Sequence, residues 1–193
     1  MAEMNAVGRF FVNAFSARRS RRRYAWIRAQ LTLPPGSTIL EVGCGNADLA
    51  ARMTDGFAPV RCVAVDLEPR QIEAARQNLA RRYPAGAPAA LELRAADMLG
   101  LPFPPAQFDA VLAFEALHHA GPDHHDFERI AGALAEIDRV LRPGGVLVYE
   151  DFVRTDRLQS WLAGHGYAIG PVLRRRRHES AIARKPRDPA PAP

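Results

Sequence analysis

The chain has 193 residues, 48% hydrophobic and 24% charged, a balance that suits one packed domain with tails and excludes global disorder. No stretch approaches the ~18 uncharged apolar residues of a membrane-spanning helix. Arginine from position 9 onward interrupts any secretory apolar region, and Cys44 and Cys62 alone make neither a disulfide framework nor a cysteine zinc site. A soluble, cytoplasmic protein is expected.

The formal charge of +5 is unevenly placed. Seven arginines against Glu3 give residues 1–31 a net +6, and six arginines with Lys185 against Glu179 and Asp188 give residues 172–193 a net +5, so the middle of the chain is acidic at −6. Basic ends of this kind attract nucleic acid or an anionic membrane surface; they also arise as ordinary solvated arginine runs, the favoured reading here.

Residues 5–31 predict a helix with a break near 16–20. Phe10, Phe11, Ala14 and Phe15 recur at helical spacing, as do Trp26, Ile27 and Leu31, until Pro34-Pro35-Gly36 stops it. Residues 38–42 predict a buried strand that ends in Gly43-Cys44-Gly45, followed by a short helix to about Met53. A second strand is expected over 60–65, closed by Asp66. A helix starting at Pro69 carries Ile72, Ala75 and Leu79 toward Tyr83. Strands at 91–95 and 108–114 follow. A long helix then presents Phe127, Ile130, Leu134, Ile137 and Leu141 on one face and ends at Pro143-Gly144-Gly145. A fifth strand over 146–149 and a helix over 154–164 complete the alternation. Residues 167–173 and 178–183 leave no room for a helix between them, so they predict a hairpin whose last strand is antiparallel. The chain thus divides into a basic helical lid (1–31), a main domain (32–185) and a disordered proline-rich tail (186–193).

Apolar strands alternating with helices predict an α/β fold, a doubly wound and mostly parallel sheet covered on both faces. Such sheets bind ligands beyond the carboxyl ends of their strands. A dinucleotide fingerprint would need a third glycine at position 48, where Asp48 stands; its carboxylate would compete with a phosphate at the helix N-terminus, which argues against NAD.

The run Glu41-Val42-Gly43-Cys44-Gly45-Asn46-Ala47 resembles the E/D-x-G-x-G-x-G signature of class I S-adenosylmethionine-dependent methyltransferases, with alanine for the last glycine. Asp66, the segment Ala96-Asp97-Met98 with Leu101-Pro102-Phe103, Phe108-Asp109-Ala110-Val111, Ala116-Leu117-His118-His119 and Leu141-Arg142-Pro143-Gly144-Gly145 are similar, in order, to the methyltransferase-11-like branch, over residues 37–185. The resemblance implies a Rossmann-like sheet of seven strands with a C-terminal antiparallel hairpin, and S-adenosyl-L-methionine as the cofactor.

It also implies roles for single residues. Gly43, Gly45 and Asn46 form the cofactor turn. Asp66 accepts from the ribose hydroxyls, Asp97 from the adenine amine, and Leu67 and Met98 sandwich the ring. Glu41 faces the methionine amine, with a structural role as its alternative; Asp97 has a second reading as the residue that holds the turn after it. Phe114 and Glu115 line the methionine side. No metal site is expected, since His118, His119, His124 and His125 lack the usual ligand spacing.

Methyl transfer requires alignment and exclusion of water, and a base only when the acceptor must lose a proton. Candidates past the fourth and fifth strands are His119 and His118, which titrate near neutrality, and the pair Glu150 and Asp151, which could steer a cationic amine or cap the next helix. In the lid, Tyr24 is placed to reach the amino-acid end of the cofactor. Phe10, Phe11 and Phe15 beside the arginines fit either ordinary packing or an interfacial helix suited to a lipid-like acceptor. The expected function is therefore methyl transfer to a small-molecule acceptor, hydrophobic or lipid-like. The alternatives are an RNA-modifying methyltransferase that uses the basic termini, and a non-catalytic S-adenosylmethionine-binding module.

Overall fold

The computed structural model describes residues 6–57, 60–121, 126–152, 155–175 and 178–187. Its elements are α1 (Ala6–Gln30), β1 (Thr38–Val42), α2 (Asp48–Gly56), β2 (Arg61–Asp66), α3 (Pro69–Arg82), β3 (Leu91–Ala95), β4 (Phe108–Phe114), α4 (Phe127–Val140), β5 (Leu141–Asp151), α5 (Thr155–Gly164), β6 (Ala168–Arg175) and β7 (His178–Arg184). The seven strands form one sheet in the order β3-β2-β1-β4-β5-β7-β6. β1 to β5 run parallel, β7 lies antiparallel between β5 and β6, and the predicted fold class and closing hairpin are both present.

Alternation along the strands makes two cores. Ile39, Cys62, Ala64, Ala110 and Leu112 face α1, α2 and α3, which contribute Ile27, Met53, Ile72 and Leu79. Leu40, Val42, Val63, Val111 and Tyr149 face the opposite way, where α4 and α5 supply Ile130, Leu134, Ile137, Leu158 and Leu162. β4, at the centre, is buried at every position, and its sequence is apolar except for Asp109, whose Oδ2 accepts from the Thr38 amide of β1 at 2.6 Å. Both chain reversals at the sheet's switch point, after β1 and after β4, open on the same end.

Three expectations are corrected. α1 is continuous from Ala6 to Gln30, because a serine costs a helix interior only a few tenths of a kcal/mol relative to its neighbours and the flanking arginines favour it. α2 runs on to Gly56, one turn past Met53. β5 begins at Leu141, before Pro143-Gly144-Gly145: Leu141 pairs with Phe108, the next pair is Ala110 with Val146, and the intervening residues bulge out of register. Of the expected tail, the Pro186 carbonyl accepts from the Gly144 amide at 3.0 Å, and residues 188–193 lie outside the described residues. Among the described residues no helix is long and apolar enough to cross a membrane.

Candidate functional site

The turn after β1 is built from left-handed backbone. Gly43 has φ +66°, and a Cβ there would sit 2.5 Å from the Ala116 Cβ, so glycine is required both for torsion and for contact with the turn after β4. Gly45 has φ +52° with nothing within 4 Å of a would-be Cβ: its face is open. Ala47 also adopts φ 55°, at the N-terminus of α2. Glycine at this position supplies torsion rather than space, so alanine costs about 1 kcal/mol here despite its small size.

Asp66 braces the turn. Its Oδ2 accepts from the Gly45 amide at 2.9 Å and its Oδ1 from the Glu68 amide at 3.1 Å, which fixes the carboxylate beside the open face. Leu67 follows with 55% of its surface exposed, an unusual state for leucine and one that suits a wall for a flat apolar ring. Asp97 is exposed and its Oδ1 accepts from the Leu99 amide at 2.9 Å; Met98 is half-buried against the α4-side core. Asn46 holds the turn itself, accepting from the Asp48 amide at 3.2 Å and, through its carbonyl, from Asn78. Asp48 is buried and paired with Arg52 at 2.8 Å and Arg82 at 3.3 Å, so its charge ties α2 to α3.

Glu41 is the anomaly of this region. It is 5% exposed, its Oε2 has no hydrogen-bond partner among the described residues, and burial raises its pKa to about 8, opposed by the Ala50 amide and the charge of Arg23. A buried carboxyl oxygen without a partner, beside an open glycine turn, is a receptor for a donor that the folded chain does not itself provide.

Beyond Phe114 the mouth is charged. Glu115 (φ 53°) and Glu150 leave adjacent strands, joined by the bond from the Glu115 amide to the Glu150 carbonyl at 2.6 Å. Arg23 of α1 forks between them, reaching Glu150 Oε1 from Nε at 3.0 Å and Glu115 Oε2 from Nη2 at 2.8 Å, and its guanidinium stands 5.0 Å from the Phe114 ring centroid. Arg19 pairs with Glu115, whose Oε1 also receives His178 Nε2 at 2.9 Å, while Ser180 donates to Glu150 Oε2 at 2.9 Å. α1 and the C-terminal hairpin therefore meet on two glutamates.

The remaining candidates separate. Asp151 is fully buried, with Oδ1 3.0 Å from His118 Nδ1 and 2.8 Å from the Phe152 amide. Glu150 and Asp151 thus face opposite sides of the strand end and do not steer a cation together, because one is bound to Arg23 and the other to His118. His118 is buried on the 3-10 turn Leu117–His119, whereas His119 is exposed and lies against the His118 ring at 3.9 Å. Tyr24 does not reach this end: its ring meets Phe57 edge-on at 6.1 Å and its hydroxyl fills the space over Gly56, at the far end of α2. The arginine one residue earlier occupies the place expected for it. Arg19 and Arg23 were legible as an i, i+4 pair on one helix face, a signal hidden inside an arginine run read as solvated. His124 and His125, and the side chains of Phe10, Phe11 and Phe15, lie outside the described residues.

Comparisons with known proteins bear on the family and the fold. A family model described as a methyltransferase domain matches residues 40–149. The 27-O-demethylrifamycin SV methyltransferase of Amycolatopsis mediterranei (strain S699) is 35% identical over 127 residues, 66% of this chain and 43% of that protein. The fatty-acid O-methyltransferase of Mycolicibacterium smegmatis (strain ATCC 700084 / mc(2)155) is 37% identical over 116 residues, 60% of this chain and 37% of that protein. The chain spans less than half the length of these relatives. Among solved structures, the N-methyltransferase NodS from Bradyrhizobium japonicum WM9, in complex with S-adenosyl-l-homocysteine, aligns with TM-score 0.67 at 19% identity over 86% of this chain and 87% of that one. The [4+2]-cyclase SpnF aligns with TM-score 0.71 at 19% identity over 86% and 81%.

Proposed function

Since this chain belongs to the methyltransferase-domain family, we propose that it transfers the methyl group of S-adenosyl-L-methionine to a small, apolar, oxygen-bearing acceptor. The observation that carries the cofactor reading is the unpartnered, buried Glu41 Oε2 beside the open face of Gly45, with the Asp66 carboxylate fixed next to it. This set of acceptors suits a ligand with hydroxyls and an ammonium and no phosphate. Glu41 would take the methionine amine, Asp66 the ribose hydroxyls, Gly43, Gly45 and Asn46 the turn beneath them, Leu67 and Met98 the faces of the adenine, Asp97 its amine, and Phe114 the methionine side. When bound, the sulfonium supplies an electrophilic methyl group and leaves as a neutral thioether. The protein's part is to hold the acceptor in line with it and keep water out.

The acceptor class is supported by relatives whose names specify 27-O-demethylrifamycin SV, fatty acids and phthiotriol. The RNA alternative has two fewer arginines to draw on at the N-terminus, where Arg19 and Arg23 turn inward onto glutamates while Arg18, Arg21 and Arg22 stay exposed. Both cysteines are free and buried, which fits the cytoplasmic setting that belongs to this proposal.

The test pairs binding with turnover, because the same fold serves a cyclase. S-adenosylhomocysteine is expected to bind in calorimetry, with Asp66→Ala weakening it at least tenfold. Methyl-labelled S-adenosylmethionine added with source-cell extract is expected to label a lipid or small-molecule fraction, and Asp66→Ala to abolish it. Binding without label in any fraction would redirect the reading to a regulatory module; absence of binding would end it.

A further inference from the structure

The amphipathic pattern of α1 inverts along its length. The C-terminal half is seated on the domain through Ile27, which is fully buried, through the buried Ser20, and through Arg23 on Glu115 and Glu150. At 3.6 residues per turn, positions 27 and 20 continue toward the N-terminus through positions 16, 13 and 9. That domain-facing line reads Ser16, Asn13 and Arg9, polar at each step. The opposite line is spaced alternately by four and three residues and runs Ala29, Ala25, Arg22, Arg18, Phe15, Phe11. Its described members Ala29, Ala25, Arg22 and Arg18 are all exposed, as is Arg21 beside them. Positions 14 and 7, an alanine and a valine, fall on the same side of the helix. A helix that only packed on its own domain would carry its phenylalanines in line with Ile27; here the register of α1 puts positions 11 and 15 opposite it.

We propose that the N-terminal half of α1 docks on an anionic lipid surface, with the face that holds positions 7, 11, 14 and 15 entering the apolar boundary and Arg18, Arg21 and Arg22 meeting the lipid phosphates. An apolar arc continued by cations on the same side is the pattern of a helix that lies in a membrane interface. The charge selects the partner. No acidic residue occurs between Glu3 and Glu41, so whatever covers this face must bring the negative charge itself. A second copy of the chain does not: pairing two such helices sets Arg18, Arg21 and Arg22 near their own counterparts with no acid on either helix to offset them. Single-stranded nucleic acid is served best by rings and cations that alternate along one groove, whereas here the aromatic positions come first and the arginines follow. Because Arg23 holds the same helix against the mouth, docking brings that mouth to the lipid surface. Only this last consequence, delivery of an apolar acceptor without passage through water, rests on the methyl-transfer reading; the docking itself does not.

Vesicle flotation of the full chain decides it without any activity. Vesicles of phosphatidylcholine with about one-third phosphatidylglycerol are expected to carry the protein at about 0.1 M salt, with partitioning at least about tenfold weaker to phosphatidylcholine alone or at about 0.5 M salt. The double variant Phe11→Ser/Phe15→Ser and the triple variant Arg18→Gln/Arg21→Gln/Arg22→Gln are each expected to weaken it about tenfold or more, with the parent's melting temperature and circular dichroism retained. The face is read separately: an environment-sensitive dye attached at Ala14→Cys should shift to the blue on anionic vesicles, and the same dye at Asn13→Cys should not. A parent chain that stays off anionic vesicles overturns the proposal, as does equal binding to neutral ones or a blue shift at Asn13→Cys alone. Retention of a single-stranded RNA in place of vesicles would assign the face to nucleic acid, and self-association that Phe11→Ser/Phe15→Ser abolishes, without vesicle binding, would assign it to a second copy. Failure of S-adenosylhomocysteine to bind the parent would defeat the methyl-transfer reading and leave the flotation result standing.

Discussion

Glu41 is an acid whose folded environment favours the proton. Its pKa of about 8 lies above the ordinary 4.5, so between those values the folded chain holds a proton that the unfolded chain has released. Stability contributed by this group therefore falls as pH rises through that window. Glu41→Gln, which preserves shape without the charge, should leave the melting temperature unchanged near pH 4.5 and raise it by several degrees at pH 8. An ammonium brought against Oε2 reverses the preference, so S-adenosylmethionine binding at pH 7 should release up to about one proton, read as a dependence of calorimetric heat on the buffer's ionisation enthalpy. Gly43→Ala meets a wall at 2.5 Å and a φ of +66° together; a loss of about 2–3 kcal/mol and of cofactor affinity is expected from thermal and calorimetric titrations. Asp66 and Glu41 were readable in advance because strand register fixes them relative to the glycines. The Arg23 fork was not, since an arginine's reach depends on where a separate helix docks.

At the scale of elements, α1 is fastened at its middle and at its end. Its lower half is anchored by Ile27 and Leu31 in the core and by Arg28, which donates to the Gly56 carbonyl at 2.8 Å. Its middle is held by Arg19 and Arg23 on Glu115 and Glu150. These ion pairs are partly buried, with Arg23 14% exposed, so removing one partner leaves poorly solvated carboxylates behind. Arg23→Ala should speed hydrogen exchange in residues 17–26 about tenfold or more while β4 amides stay protected, and raising salt should move the parent in the same direction. Strands were legible because β1, β2 and β4 are mostly apolar, broken within by only Glu41 and Asp109 and charged at the ends of β2. The start of β5 was not: Pro143-Gly144-Gly145 reads locally as a helix stop, and only pairing of Leu141 with Phe108 shows that the strand has already begun.

For the whole molecule, the charge asymmetry acquires a structural meaning. The acidic body concentrates Glu41, Glu115 and Glu150 at the strand ends, and the basic N-terminal segment supplies the arginines that pair with Glu115 and Glu150. The C-terminal hairpin closes the same mouth from the other side through His178 and Ser180. The order of the sheet has a consequence for how the chain is made. β7 is synthesised after β6 yet lies between β6 and β5. A nascent chain can thus assemble β1 to β5 as a five-stranded sheet, but β6 has no strand to join until residues 178–184 have left the ribosome. During that interval β5 is an open edge, and His178 and Ser180 are not yet there to fasten Glu115 and Glu150. Synthesis therefore delivers the glycine turn with Asp66 first and the finished mouth last, with the strand that completes the sheet also fastening Glu115 and Glu150.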